Sequence, residues 1–516
     1  MKENSSAKAV KTIGFMAVII LCAKFLGLLR EVMIASVYGQ GYASDVLNTS
    51  TQIPLLFFDM TLGVAILSTF VPTFNKLLEK EGKCRAMEFA GTFMTTVVAL
   101  AAVFSALGMI FAQPLVRLMV PGYDSAKIAE TVGLLRILFP SILFTAAAYT
   151  SVGILQSFGE FNIPSLISVV SNLTMILYLA VFGNKFGLAG VVISMVIAWG
   201  AQLIVQLPHL FKFGFRFKPS LNFRDEGLRE AARLAVPVLI SSWVQPLCVV
   251  INMAFGSALG DGAVSGLNWA NKLYIIMVGV FAYAVTNFIF PRLSRLNASD
   301  DNISFADTTR ISVGWTVCII GFISAMFIAL GGPVVKLVFE RGEFTAEDTL
   351  LTSTALKAYS VGMIGYAICE ILNKSFYAIQ DGKTPMLTSI IGVSANLVFA
   401  FVFIRLLKMG VGGLALASGL SSVVMAAVLI IMMNKQRAKT FDKHFLLNLL
   451  KTVAASVVSG LVASLVYTWL GSPSSGAVRT FFDLSVCAAA ALCCYTMLQL
   501  VFKTDEAKQI RTRKER

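Results

Sequence analysis

The chain contains LGVAILSTFVPTFNKL at Leu62–Leu77 and FAYAVTNFIFPRLSRL at Phe281–Leu296, and the two stretches align without a gap. Pro72 then stands opposite Pro291. The stretches belong to two mostly apolar repeats of roughly 110 to 120 residues at an offset of about 220, a pattern typical of transporters. The sequence therefore predicts a duplicated membrane transporter.

Composition excludes a soluble fold. Hydrophobic residues make up 57% of the 516 residues, charged residues 14%, and the mean hydropathy is +0.79, which leaves too little polar surface to cover a globule. We predict an all-α integral membrane protein, because the apolar runs match about fourteen transmembrane helices and show none of the alternation of β-barrel strands. The predicted spans are residues 12–36, 47–74, 88–112, 131–156, 164–183, 188–210, 229–256, 266–292, 308–330, 350–379, 385–408, 411–433, 446–470 and 478–502.

The net charge of +14 is explained by topology. Lysine and arginine concentrate in alternate loops and in the C-terminal tail, Lys503–Arg516. The positive-inside rule then places both termini in the cytoplasm. Binding to nucleic acid is disfavoured because the cations are spread over several loops rather than gathered on one domain.

No pattern in the chain predicts catalysis, a metal site or a cofactor. Gly382–Thr384 reads GKT, but Tyr377 occupies the place of the first glycine of a phosphate loop and Pro385 follows immediately. His209 and His444 are the only histidines and are far apart. The eight cysteines have no C-x-x-C spacing. Energy for transport therefore has to come from a gradient or from a partner. If it is a gradient, the sequence leaves open whether it is the membrane potential or that of a monovalent cation.

Ionisable residues at membrane depth are the informative ones, because each costs at least about 2.5 to 3.5 kcal/mol at a helix centre. The residues in question are Lys24, Arg30, Asp59, Lys272, Glu370 and Lys374. For Arg30 and Lys272 two interpretations stay open: a cavity that receives an anion, or snorkelling and an internal ion pair with Glu31 or Asp59. For Glu370 and Lys374 an ion pair within one helix is favoured by their i, i+4 spacing.

Four strings of the sequence carry a family resemblance. They are GLLREVMIASVYGQGYASDVLN at Gly27–Asn48, FERGEFTAEDT at Phe339–Thr349, AYSVGMIGYA at Ala358–Ala367 and SFYAIQDGKTP at Ser375–Pro385. On these strings, and over essentially the whole chain, the sequence resembles the MviN/MurJ family of lipid II flippases.

The resemblance implies a fold of the multidrug/oligosaccharidyl-lipid/polysaccharide exporter superfamily. Two pseudo-symmetric six-helix lobes are expected at residues 1–220 and 221–440, with a central cavity bounded by the first, second, seventh and eighth helices. Residues 441–516 are expected to add two helices that line a groove for the lipid tail, followed by a basic cytoplasmic tail.

The resemblance also implies roles for individual residues. Arg30, Lys272 and Lys24 are expected to bind the pyrophosphate in the cavity, and Glu31, Asp45 and Asp59 to support or gate it, with Glu370 and Lys374 as further candidates. The chain departs from the family in helix 2, where Phe57, Phe58 and Asp59 stand in the region of an arginine. Lys272 replaces an arginine in helix 8 and loses its bidentate grip on phosphate.

The implied activity is transport, without an enzymatic step, of lipid II from the inner to the outer leaflet of the bacterial cytoplasmic membrane, by alternating access and for cell wall synthesis. The expected partners are lipid II and membrane lipids, for a protein that works as a monomer and associates with wall-synthesis enzymes. Three alternatives stay open: a flippase for another undecaprenyl-linked oligosaccharide, a multidrug antiporter of the same superfamily, and a scaffold that transports nothing.

Overall fold

The computed structural model describes residues 2–58, 63, 66–242, 244–437, 440–470 and 476–514. Within these ranges the structure describes only the backbone of residues 2–14, 17, 67–68, 234, 236–242, 244–245, 283–284, 287–288 and 510–514. The predicted all-α class is confirmed, since the regular structure of the described residues is helical.

Twenty-one α-helices follow one another along the described chain. In order they are α1 (Lys2–Tyr38), α2 (Tyr42–Phe58), α3 (Val71–Lys80), α4 (Lys83–Ile110), α5 (Ala112–Met119), α6 (Ser125–Leu138), α7 (Ser141–Ser157), α8 (Asn162–Phe182), α9 (Gly187–Ile204), α10 (Leu207–Lys212), α11 (Glu226–Ser242), α12 (Val244–Ser257), α13 (Ala263–Ala298), α14 (Asn302–Phe339), α15 (Ala346–Val361), α16 (Met363–Ala378), α17 (Lys383–Phe401), α18 (Gly410–Gln436), α19 (Lys443–Trp469), α20 (Ala477–Val501) and α21 (Asp505–Lys514). Short π-helical turns precede α3, at Ile66–Phe70, and follow α17, at Val402–Leu406.

Each predicted span falls on one helix or on a broken pair. Among the described residues, nine helices are long and apolar enough to cross a membrane, or ten if α15 and α16, which meet at 49°, form one span. The other predicted spans fall on α1, on the stretch from α2 to α3, on α11 with α12, and on α13. The protein is thus an all-helical, multi-span membrane protein.

Contacts between Cα atoms divide the chain into two compact units, Met1–Gly262 and Ala263–Arg516. The predicted boundary between lobes near residue 220 stays a prediction, because these units are defined by packing alone.

The first unit has an aromatic core around the first repeat. Phe70 stacks on Phe74 and Phe89 and packs at a tilt against Phe93, with ring centroids 4.9 to 5.6 Å apart. Phe70, Phe74 and Phe89 are fully buried. Pro72 sits in the first turn of α3, directly after the π-helical turn at Ile66–Phe70. The two repeats differ here, because Pro291 lies inside the longer helix α13.

The second unit contains three of the four strings of the family resemblance, at corners between helices. Phe339 and Phe344 pack against Trp269, with centroids 5.9 and 5.5 Å from its ring. Thr345 and Asp348 then form a capping box that starts α15. The string FERGEFTAEDT is therefore a helix-to-helix corner held by aromatic packing.

The break between α15 and α16 depends on close backbone packing. A Cβ atom at Gly362 would collide with the Gly419 backbone of α18. Only a glycine fits where the two chains approach so closely, so this break has a fixed place.

The GKT string starts α17. The Asp381 carboxylate accepts hydrogen bonds from the backbone N–H groups of Lys383, at 2.9 Å, and Thr384, at 3.0 Å. The Gln436 amide of α18 also donates to Asp381, at 2.7 Å. Burial acts to raise the pKa of Asp381, but these hydrogen bonds outweigh it and lower the pKa. The GKT string therefore forms the N-terminus of α17, which Asp381 caps.

We predict that Asp381→Ala lowers the free energy of unfolding by about 1 kcal/mol, as expected for the loss of a helix cap. Asp381→Asn keeps an acceptor oxygen and should lose less. The check is thermal unfolding of the full-length protein and both variants in the same detergent. Equal midpoints for all three proteins would show that this cap does not stabilise α17.

Candidate functional site

Arg30 lies on α1 and is held by two neighbours. Its guanidinium donates to the Asn172 side-chain oxygen on α8, at 3.0 Å, and to the Glu31 carboxylate, at 2.6 Å. The Asn172 amide in turn donates to the Ala23 carbonyl of α1, at 3.1 Å. Asn172 therefore joins α8 to α1 and fixes the orientation of the arginine.

The Arg30 guanidinium is held by these two partners but remains partly exposed. Its side chain is 30% exposed, whereas that of Glu31 is 8% exposed. The Arg30 Nε atom is buried and has no hydrogen-bond partner among the described residues. A guanidinium in this state presents N–H donors in a rigid fork that matches the oxygens of a phosphate group.

Lys24 and Asp59 are two further predicted residues of the first unit. Lys24 is partly exposed on α1, and an ideal helix places it about 120° around the axis from Arg30. Asp59 lies outside the described residues. Phe57 and Phe58, which precede it, pack on Phe139 and Tyr149 with centroids 6.2 and 5.4 Å apart.

The second unit contains the remaining predicted residues. Lys272 is half-buried on α13. On α16, Glu370 is hydrogen-bonded to Tyr366 and attracted by the charge of Lys374. The Lys374 ammonium stands 5.9 Å from the centre of the Phe290 ring. Glu370 and Lys374 thus lie on the helix that packs against α13, with Lys374 beside Phe290.

A second charged cluster of the first unit surrounds Lys127, in the first turn of α6. Its ammonium contacts Asp45 Oδ2 at 2.9 Å and Asp261 Oδ1 at 2.6 Å. Asp45 also accepts a hydrogen bond from the Gly262 N–H, at 2.9 Å, and Gln40 donates to the Gly262 carbonyl, at 2.8 Å. We call Asp45, Lys127, Asp261 and Gly262 the clamp, because they tie residues 258–262 to α2 and α6.

The clamp holds Lys127 at a position that disfavours a positive charge. The first turn of a helix carries the positive end of its dipole, which disfavours a cation. Lys127 is also 4% exposed, so the two carboxylates compensate for the lost hydration of its ammonium group. Asp261 is 63% exposed at its side chain, so water reaches one side of the clamp.

Two tyrosines complete the surroundings of Lys127. Its ammonium lies 4.2 Å from the centre of the Tyr123 ring and 5.3 Å from that of Tyr42. Burial raises the pKa of Tyr42 to about 12, with smaller contributions from nearby carboxylates. Burial likewise raises the pKa of Tyr123. Both rings therefore stay neutral and contact the ammonium by cation–π attraction.

Sequence reasoning identified Arg30, Glu31 and Asp45 but missed their partners. Asn172 is a polar residue within the apolar run of α8. This was the one signal in the sequence that could have pointed to it. Lys127 and Asp261 lie at helix starts, where charged residues are common, and their distance from Asp45 along the chain hid the contact. Within the described ranges no group of three or more His, Cys, Asp and Glu side chains is placed to hold a metal ion.

The family model described as lipid II flippase MurJ matches residues 34–486. The probable lipid II flippase MurJ of Haemophilus influenzae is 28% identical over 458 residues, which cover 85% of this chain and 89% of that protein. The probable lipid II flippase MurJ of Bdellovibrio bacteriovorus is 23% identical over 517 residues, 99% of this chain and 98% of that protein.

Solved structures show the same fold. A lipid II flippase MurJ in an inward closed conformation matches with a TM-score of 0.79 at 22% identity, over 94% of this chain and 98% of that chain. An inward-facing multidrug resistance MATE family transporter of the MOP superfamily matches with a TM-score of 0.69 at 15% identity, over 83% and 98%. The predicted resemblance is confirmed, and since the family model matches most of its length, the chain belongs to the MurJ family of lipid II flippases.

Proposed function

We propose that this lipid II flippase uses Arg30, with Lys24 and Lys272, to bind the pyrophosphate of its substrate. The observation that carries the proposal is the state of Arg30: it is oriented by Asn172 and Glu31, yet its side chain remains 30% exposed. A pyrophosphate that links a sugar to a lipid has negative oxygens, which a fixed guanidinium recognises by charge-assisted hydrogen bonds.

Glu31 acts as the counter-charge of the empty site. An uncompensated cation at membrane depth costs several kcal/mol, and the 2.6 Å ion pair with Glu31 removes that cost. A bound pyrophosphate competes with Glu31 for the same guanidinium. Release of the substrate is therefore assisted by a carboxylate that is already in place.

The clamp closes one end of the first unit. Asp45, Lys127 and Asp261 hold residues 258–262, which lie between α12 and α13. Alternating access needs closures that form and break, and an ion pair with one water-exposed partner is suited to that. We assign the clamp to the outer side of the membrane, and Asp59 to a supporting role near the same helix.

The membrane orientation follows from the loops. With both termini in the cytoplasm, the turn at Gly39–Gly41 between α1 and α2 faces outward, and the corner at Gln380–Gly382 faces the cytoplasm. Lipid II is then received on the cytoplasmic side and delivered outside. The membrane potential, worth about 2.3 kcal/mol per charge per 100 mV, is a sufficient driving force for a cationic site that returns empty.

The last two long helices, α19 and α20, form the path for the lipid tail in this proposal. Both pack against α14, where the Tyr495 hydroxyl donates to the Cys318 carbonyl at 2.8 Å. Leu461, Leu465 and Leu492 are exposed on them, as expected for a surface that meets acyl chains.

In this proposal residues 1–220 and 221–440 serve as the two lobes of the transporter. Glu370 and Lys374 stabilise the second lobe. The protein works as a monomer beside wall-synthesis enzymes.

Arg30→Ala should abolish transport, and Asn172→Ala should reduce it by about tenfold, because one hydrogen bond to a charged group is lost while the charge remains. Growth of a strain that depends on this protein measures the effect at equal protein levels. Thr174→Ala is the matched control on α8, since that hydroxyl donates to the Val170 carbonyl of its own helix. Normal growth of the Arg30→Ala strain would exclude Arg30 from the site.

Two glycines allow a direct test of orientation. A Cβ atom at Gly41 or at Gly382 meets no other atom within 4 Å, so a cysteine fits at either place in a background without the eight native cysteines. A membrane-impermeant maleimide added to intact cells should label Gly41→Cys and leave Gly382→Cys unlabelled until the cells are opened. The reverse pattern would invert the proposed direction of transport.

Lys127→Met should open the clamp, because breaking a buried ion pair costs roughly 3 to 5 kcal/mol. Amide hydrogen exchange at residues 258–262 should become faster and transport should fall. Lys185→Met is the control, since Lys185 is exposed and lies 5.7 Å from the ring of its neighbour Phe186. Unchanged exchange at residues 258–262 in Lys127→Met would show that the clamp does not hold this segment.

A further inference from the structure

The end of α10 and the stretch that follows it toward α11 alternate cations with aromatic residues. Residues 211–224 read FKFGFRFKPSLNFR, and we call them the basic–aromatic segment. The proposed transport of lipid II makes no use of it. Alternation of this kind is typical of chain that lies at a membrane surface, where rings enter the interface and cations meet phosphate groups.

The segment is packed firmly against the start of α4. Its Ser220 N–H donates to the Thr95 hydroxyl, at 3.2 Å, and the Lys218 carbonyl lies 3.4 Å from the place of a Cβ at Gly91. Phe213 stacks on Phe158, with centroids 5.1 Å apart and planes 9° apart. The backbone of the segment is therefore a fixed surface of the first unit.

The side chains that face outward are of two kinds. Phe217, Leu221 and Phe223 are 48%, 57% and 67% exposed. Arg216, Lys218 and Arg224 are exposed as well. Large apolar side chains fixed in water would be unfavourable, whereas at the boundary between water and lipid both kinds are satisfied.

A cavity of about 930 Å³ lies between the segment and α4. Its charged lining includes Lys83, Arg85, Glu88, Arg216, Lys218, Arg224, Asp225 and Glu226, with Thr92 and Ser220 among the polar residues. Arg85 and Asp225 neutralise each other in an ion pair of 2.8 Å. The remaining six charges sum to +2, and the α4 N-terminus beside them has no side-chain cap, which adds to the positive field.

The depth of the cavity fits a head group. Its lining runs along α4 from Lys83 to Thr92, about 14 Å at 1.5 Å per residue. α4 is one of the helices able to cross a membrane, so this stretch passes from the aqueous boundary toward the hydrocarbon region. A soluble acidic peptide would leave Phe217 and Phe223 in water, whereas a lipid covers them.

We propose that the basic–aromatic segment and the start of α4 form a binding site for the phosphate head group of an anionic phospholipid. Arg216, Lys218 and Arg224 contact the phosphate, and Phe217 and Phe223 contact the acyl chains. The bound lipid lies beside the Arg85–Asp225 pair, and Asp225 caps α11 by accepting a hydrogen bond from the Leu228 N–H, at 3.0 Å.

The test is the binding of phosphatidylglycerol to the full-length protein in detergent, measured by native mass spectrometry against phosphatidylcholine. Phosphatidylglycerol should bind more tightly, and Arg216→Gln with Lys218→Gln should weaken its binding by about tenfold or more. Lys435→Gln with Lys443→Gln is the matched control, because both lysines are exposed near the ends of α18 and α19. Equal weakening by the control pair, or equal binding of the two lipids, would overturn the proposal.

A second variant separates a lipid from a free anion. Phe217→Gln with Phe223→Gln keeps every cation and should weaken phosphatidylglycerol binding without changing the binding of inorganic phosphate. If inorganic phosphate displaces phosphatidylglycerol completely and this variant binds both as before, the cavity is a site for soluble anions and the lipid proposal is wrong. Binding is measured without transport, so this result is independent of the pyrophosphate site.

Discussion

A charge inside an apolar helix bundle has to be neutralised by groups that the fold brings to it, and this constraint organises the first unit. Arg30 depends on Glu31 beside it and on Asn172 from α8. Lys127 depends on Asp45 from α2 and on Asp261, which lies 134 positions further along the chain. Both groups join parts of the chain that are distant in sequence, so these charges fix the packing of α1, α2, α6 and α8.

The two charged groups differ in what they can do. Around Arg30 a guanidinium remains partly exposed after its partners are satisfied, which leaves donors for a ligand. Around Lys127 the ammonium is enclosed by two carboxylates and two rings, and nothing is left for a ligand. The first arrangement suits binding and the second suits closure. A flippase needs both, since a substrate site open to both sides of the membrane would be a leak.

The fold could be predicted from the sequence because hydropathy and the repeat are strong signals. Arg30 and Lys272 were predicted as site residues because a charge within an apolar run is conspicuous. Asn172 was missed because a single amide in an apolar helix is also explained by packing. Lys127 was missed because charges at helix starts are ordinary. Its importance comes from partners that only the folded chain brings close.

The strings of the family resemblance have a structural explanation that their letters did not reveal. FERGEFTAEDT forms a corner held by Trp269, and QDGKTP starts a helix capped by Asp381. Break positions within helices were also beyond sequence reasoning: the predicted span 47–74 contains the end of α2, a π-helical turn and the start of α3. Such breaks depend on local packing, and hydropathy averaged over twenty residues cannot locate them.

The central claim is that this chain moves lipid II outward across the membrane. Its most direct test is the accessibility of lipid II to an enzyme acting from outside, in cells where this chain is the only flippase, before and after rapid depletion. The account predicts that the outer pool of lipid II disappears while lipid II accumulates inside. An outer pool that is unchanged after depletion would contradict it.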